Sequence, residues 1–181
     1  MSTVFTICAT FKSNESSVAS RVCQLLDGIE LATPYTTRHR RSAEDDGFVF
    51  TSQDAFNLMI AREELLEYVQ VFGNYYGTPR SCLQEARERG NDLLIRVDER
   101  AATQVKQKLS DAISILVLQP PSHQDERSTE TGSELLLSQR LRDASRMIDP
   151  EKFDHVVSAE SSEENANRVA AIIRFERSRQ S

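Results

Sequence analysis

Residues 66–80, LEYVQVFGNYYGTPR, decide how the rest of the chain is read. Glu67 offers a carboxylate, Tyr75 and Tyr76 offer phenols, and Thr78 offers a hydroxyl beside Gly73 and Gly77. Tyr68 to Phe72 is mostly apolar, Gly73-Asn74 makes a turn, and Tyr75-Tyr76 begins a second strand, so the stretch reads as a hairpin carrying polar chemistry. Upstream lies Tyr35-Thr36-Thr37-Arg38-His39-Arg40-Arg41, a compact run of cations. Guanidinium groups grip phosphate in pairs of charge-assisted hydrogen bonds, so this run is a candidate phosphate holder.

Outward from the hairpin, strands and helices alternate. Val4 to Ala9 reads as a short buried strand. Residues 16–27 carry Val18, Val22, Leu25 and Leu26 at helical spacing and close on Asp27-Gly28. Ile29 to Ala32 is another short apolar run. Phe48-Val49-Phe50 is strand-like and leads to Thr51 or Ser52 as the cap of a helix holding Phe56, Leu58, Met59 and Ile60. Beyond the hairpin come a helix from Cys82 to Arg89 stopped by Gly90, a strand at Leu93-Leu94-Ile95, a helix over 99–109 and a strand from Ala112 to Leu118. Strands separated by helices of about ten residues mark βαβ units and a parallel sheet. Pro120-Pro121-Ser122 breaks the pattern, and residues 122–134 hold no strongly apolar side chain and predict a mobile loop. A helix over Leu135–Met147, a strand at His155–Val157 and a last helix over 163–176 complete the series.

At 181 residues the chain fits one domain with a substantial core. Its net charge of -6 argues against bulk nucleic acid or an anionic membrane surface as partner. Arg38, Arg40 and Arg41 are therefore a cationic island on an acidic molecule, suited to a small phosphorylated ligand. Cys8, Cys23 and Cys82 are odd in number and far apart, which predicts free buried thiols in a reducing compartment. His39, His123 and His155 are scattered, so no structural metal is expected. The opening STVFTICAT is too short for a signal peptide, and nothing approaches the ~20 apolar residues of a membrane span, so a cytoplasmic location is expected.

In wording, order and spacing, YTTRHRR, AREELLEY and GNYYGTPR together resemble the nucleotide-monophosphate site of guanylate kinases, and the resemblance runs through about residues 3–176. It implies an α/β fold: a P-loop-kinase-like parallel sheet core flanked by helices, with an inserted small β-rich nucleotide-monophosphate lobe and a short lid. The implied single domain spans 1–181, with core at 1–33, 81–120 and 136–181, lobe at 34–80 and lid at 121–135. By position, Arg38 and Arg41 match the family's phosphate-binding arginines, and Glu67 its guanine-reading glutamate. Thr78 matches the hydroxyl for guanine O6 and Tyr76 the phenol for the phosphate. Phe48 stands where the family usually has a second phosphate-binding tyrosine, and Pro34 replaces a serine that contacts the base. Each missing bond is worth about 0.5–1.5 kcal/mol, which weakens such a site without abolishing it. Asp98 is the surviving acid of an acidic-x-Asp-x-Gln-Gly segment and joins the expected GMP-binding set; Arg96 replaces the first acid and Arg100-Ala101 the Gln-Gly.

The ATP side departs further. A P-loop curls glycine N–H groups around phosphates, neutralises them with lysine and holds magnesium on a hydroxyl. Here Ala9-Thr10-Phe11-Lys12-Ser13-Asn14-Glu15-Ser16-Ser17 contains no glycine, and Glu15 stands where the lysine belongs. A unit charge pair at 4 Å is worth about 4 kcal/mol at an effective dielectric of 20, so the reversal is severe. Lys12 and Ser16 are the residues able to substitute. In the lid, Arg127 and Arg140 are the remaining cation candidates. The expected function is a pseudoenzyme with a degenerate P-loop that binds GMP or a related phosphorylated guanine ligand, with no catalytic residue assigned. No cofactor is expected unless kinase activity remains, in which case magnesium is. Two alternatives stand beside it: an interaction module that takes phosphorylated protein segments, as in membrane-associated scaffolds, and an active GMP kinase with an unconventional ATP pocket.

Overall fold

The computed structural model describes residues 2–9, 12–41, 46–118 and 148–179, without the side chains of residues 12–17. In chain order the elements are β1 (Val4–Ala9), α1 (Lys12–Leu25), β2 (Ile29–Leu31), β3 (Tyr35–Thr36), β4 (Val49–Phe50), α2 (Gln53–Ala61), β5 (Leu65–Val71) and β6 (Asn74–Pro79). There follow α3 (Arg80–Glu88), β7 (Asp92–Arg96), α4 (Glu99–Lys108), β8 (Ile113–Leu118), a 3-10 turn (Pro150–Lys152), β9 (His155–Ser158) and α5 (Ser162–Arg179).

Strands β1, β7 and β8 are apolar at nearly every position because both their faces are covered, which is what a parallel sheet between helices demands. The sheet has five strands in the order β2-β7-β1-β8-β9, and among the described residues its strands all pair in parallel. Side chains of β1 alternate between two cores. Phe5 and Ile7 join Val18, Val22, Val169 and Ile173 of α1 and α5, whereas Val4 and Cys8 join Leu83, Ala101 and Val105 of α3 and α4. The expected α/β architecture with a parallel core is thus the observed one.

A second sheet, β4-β3-β6-β5, lies in the segment between β2 and α3. Its β3–β4 pair is parallel, and its other pairs are antiparallel. The hairpin is larger than the sequence suggests. Strand β5 begins at Leu65 because Leu65 and Leu66 are both buried, and β6 runs from Asn74 through Pro79. The turn is Phe72-Gly73 rather than Gly73-Asn74: both take positive φ, 49° and 79°, which suits a tight hairpin that keeps to the strand twist. A register shift between Leu65 and Glu67 marks a bulge, a device that re-aims side chains.

Helix α4 ties this sheet to the core. Gln104 donates from Nε2 to the Tyr68 carbonyl at 2.8 Å and accepts from the Tyr68 amide at 3.1 Å, so one side chain acts as a strand neighbour. Lys108 Nζ adds a bond to the Leu65 carbonyl at 3.1 Å.

Other boundaries shift modestly. Ser52, not Thr51, caps α2, its Oγ accepting from the Ala55 amide. Helix α1 begins at Lys12, and α5 extends to Arg179 because Arg177 reaches Asp92 and the Asp27 and Gly28 carbonyls. All three cysteines are free, but only Cys8 is buried; Cys23 and Cys82 are half-buried, against the expectation of fully buried thiols. The predicted loop over 122–134 and helix over 135–147 lie outside the described residues.

Candidate functional site

Glu67 is the most unusual charge in the small sheet. It sits on β5 at 4% exposure, paired across the ladder with Thr78 of β6, which is fully buried. Thr78 Oγ1 donates to Glu67 Oε1 at 2.6 Å. Burial disfavours the charged form and pushes the carboxyl from 4.5 up to about 7, with Asp98 adding to the rise. Thr78 and Lys108 pull the other way and lose to desolvation. Glu67 is therefore no solvated strand residue, and the Thr78 hydroxyl, read from the sequence as an O6 contact, here donates to its carboxyl.

The arginine run is lashed to the same hairpin through two threonines. Thr36 Oγ1 donates to the Tyr75 carbonyl at 2.9 Å, and Thr37 Oγ1 accepts from the Tyr75 amide at 2.9 Å. The Arg38 amide then donates back to Thr36 Oγ1 at 3.2 Å. Tyr75 in turn stacks on the buried ring of Phe56 at 5.2 Å, which anchors the hairpin on α2. Arg38, Tyr76 and Phe48 meet as a result. The Arg38 guanidinium lies 5.1 Å from the Phe48 ring centre, and Phe48 meets Tyr76 edge-on at 5.8 Å. Arg41, the last residue of the run, is exposed, and Arg40 pairs with Asp46 at 3.3 Å.

Asp98 and Arg96 lie where β7 ends and α4 begins. Asp98 caps α4, one oxygen accepting from the Ala101 amide at 2.9 Å and the other pairing with Arg100 at 2.9 Å. Arg96 leaves the end of β7 and donates to the Gly47 carbonyl at 3.3 Å, linking the core sheet to the loop before Phe48. Both carboxylate oxygens of Asp98 are engaged, and Arg96, two residues earlier at the end of β7, is a cation rather than an acid. Among the described residues no cluster of three or more His, Cys, Asp or Glu could hold a metal. Lys12, Glu15 and Ser16 fall in the first turns of α1, and their side chains lie outside the described residues, as do Arg127 and Arg140 entirely.

The small sheet thus brings Arg38, Phe48, Glu67, Tyr76 and Thr78 together on β3, β4, β5 and β6 or the turns between them, with Asp98 close enough to act on Glu67. Reasoning from the sequence missed Thr36, Thr37, Phe50 and Gln104. The threonines were legible as part of the TTR wording, but their lashing role depends on register. Gln104 gave no signal in one dimension. Among the described residues no helix is long and apolar enough to cross a membrane.

A family model described as guanylate kinase matches residues 24–176. A guanylate kinase of Koribacter versatilis is 33% identical, covering 99% of this chain and 81% of its own. One from Thermotoga maritima is 31% identical, covering 97% and 88%. Among solved structures, the guanylate kinase of Anaplasma phagocytophilum superposes with a TM-score of 0.73 at 23% identity, covering 97% of this chain and 86% of that one.

Proposed function

Because the chain belongs to the guanylate kinase family, we propose that its small sheet binds GMP, Glu67 reading the base and Arg38 and Arg41 holding the phosphate. The observation that carries this reading is the buried carboxylate of Glu67, held by Thr78 on the sheet that also presents the arginine run. Guanine shows N1–H and N2–H₂ on one edge, two donors at the pitch of a single carboxylate. Adenine offers an acceptor at N1 and would leave an ionised Glu67 facing a lone pair, a mismatch costing about 1–3 kcal/mol for each buried group left unpaired. Thr78 acts as the group that orients the carboxylate. Residues 34–80 form the nucleotide lobe on this reading, with α4 as its support.

Bound GMP has two possible fates at this site. The relatives carry the name guanylate kinase across nearly the whole chain, which favours transfer of a phosphoryl group from ATP to GMP, giving ADP and GDP. Those relatives lend no support to a pseudoenzyme. The chain's own wording at 9–17 favours binding without transfer, since it lacks glycine and carries Glu15 at the lysine position; these residues also precede the span that the family model matches. Calorimetry with GMP and AMP tests the site, and equal affinity for the two would refute the base reading. A coupled assay for GDP formed from ATP and GMP separates the two fates. Turnover abolished by Glu67→Ala establishes the kinase, and tight GMP binding without turnover establishes the binder.

A further inference from the structure

Phe50 has no group that can hydrogen-bond a nucleotide, yet the arginine run is built around it. It stands half-buried on β4, paired with Thr36 of β3. The Arg38 guanidinium carbon lies 5.2 Å from the Phe50 ring centre and 5.1 Å from that of Phe48. The Arg40 guanidinium lies 4.7 Å from the Phe50 ring. The two rings are 6.4 Å apart and tilted by 59°, so they present separate faces to the cations. A guanidinium within about 6 Å of a ring centre is attracted by the negative face of the π system.

We propose that Phe50 is a positioning residue for the phosphate: with Phe48 it forms an aromatic platform that fixes the Arg38 guanidinium before ligand arrives, while Arg40 beside it is held between Phe50 and Asp46. The proposal rests on the GMP-binding function, in which Arg38 receives the phosphate. An arginine surrenders rotamer freedom when it grips a ligand, and one already held over rings has less to surrender. A ring attracts the cation without taking its N–H donors, so the rings leave to phosphate the donors beyond the Nη1 bond from Arg38 to the His39 carbonyl. The platform also accounts for Phe48. Where the resemblance implies a phenol, this chain keeps only the ring, and the ring is the part that Arg38 touches.

Calorimetry comparing GMP with guanosine, which lacks the phosphate, tests the proposal. Phe50→Leu removes both ring contacts and is expected to weaken GMP by about fivefold while leaving guanosine unchanged. Phe50→Trp restores GMP affinity. Pentafluorophenylalanine placed at position 50 keeps the shape of the ring but reverses the sign of its face; it weakens GMP as leucine does, and it keeps the test open if the leucine variant does not fold. Wild-type GMP affinity in the fluorinated protein overturns the platform, because the ring then acts only as filler. Equal weakening of GMP and guanosine overturns it too, since the residue then supports the lobe as a whole. Failure of the unaltered chain to bind GMP overturns the base-site reading and this proposal with it, whereas GMP binding indifferent to the ring overturns this proposal alone.

Discussion

Replacing Glu67 with glutamine separates two demands that the proposed function sets against each other: a base reader must be charged, and a buried side chain resists charge. The carboxyl rises from 4.5 to about 7 because it is buried against Thr78. An acid whose pKa is higher when folded binds more protons in the native state between those two values. Its contribution to stability is therefore most favourable at low pH and is lost as pH climbs toward 7. Linkage with these two values gives a penalty of under about 1 kcal/mol at pH 5 and roughly 3 kcal/mol at pH 8. The ligand-free protein should thus lose roughly 2 kcal/mol from this group across that range. Glutamine cannot ionise and keeps a carbonyl for the Thr78 hydroxyl, so Glu67→Gln lacks the slope. Urea unfolding of both proteins from pH 5 to pH 8 reads the difference, in which other carboxylates cancel; Glu30, held low by its hydrogen bond from Arg89, is one of these. Parallel curves, or a wild type that gains on the variant as pH rises, would refute the burial argument. The same proton competes with the base. Guanosine, which has no phosphate to titrate, should bind about tenfold more weakly at pH 6 than at pH 8, and Glu67→Gln should show neither the pH dependence nor the guanine preference.

Two further substitutions probe the scaffold. A Cβ on Gly77 would stand 2.8 Å from the Glu67 carbonyl oxygen and 3.0 Å from both Phe56 Cζ and Tyr68 Cβ, so Gly77→Ala must push β6 off β5. It is expected to cost about 1–3 kcal/mol in thermal or urea unfolding and to weaken GMP binding, and unchanged GMP affinity would count against the Glu67–Thr78 pairing as the base reader. Asp92 accepts from the Thr3 amide and from Arg177 Nε, each at 2.7 Å, clamping α5 to the start of β7. Asp92→Asn should cost about 1.5–3 kcal/mol in urea unfolding while leaving GMP affinity intact, because it is the other end of β7, at Arg96, that meets the segment before Phe48.

The core was legible because burial on both faces writes itself as an apolar run, as in Ile113–Leu118, and because the helices between such runs are amphipathic. One cap was legible for the same local reason: Ser52, one of the two residues read as the cap of α2, does accept from an amide inside the helix. The small sheet was only half legible. Strands β3 and β4 have two residues apiece, too few to show a period, and their parallel pairing joins Tyr35 to Val49 across a loop with no signal of its own. Asp98 illustrates the same limit. Its identity points to ligand chemistry, whereas its position makes it a helix cap, and only the fold shows that its charge still raises Glu67.

Position, more than identity, decides what this site can do. Glu67 takes its proton affinity from burial between β5 and β6, but two opposing influences on it, Asp98 and Lys108, stand at the two ends of α4. Helix α4 also holds β5 through Gln104 and Lys108. Any rocking of the lobe against α4 would therefore change the distance from Glu67 to one acid and one base together, and with it the fraction of carboxylate ready for guanine. On the proposed reading of Glu67 as the base reader, recognition would therefore depend on how the small sheet is seated on α4. Gln104 opposes such rocking, because one side chain bonds both backbone groups of Tyr68 and so ties β5 to α4.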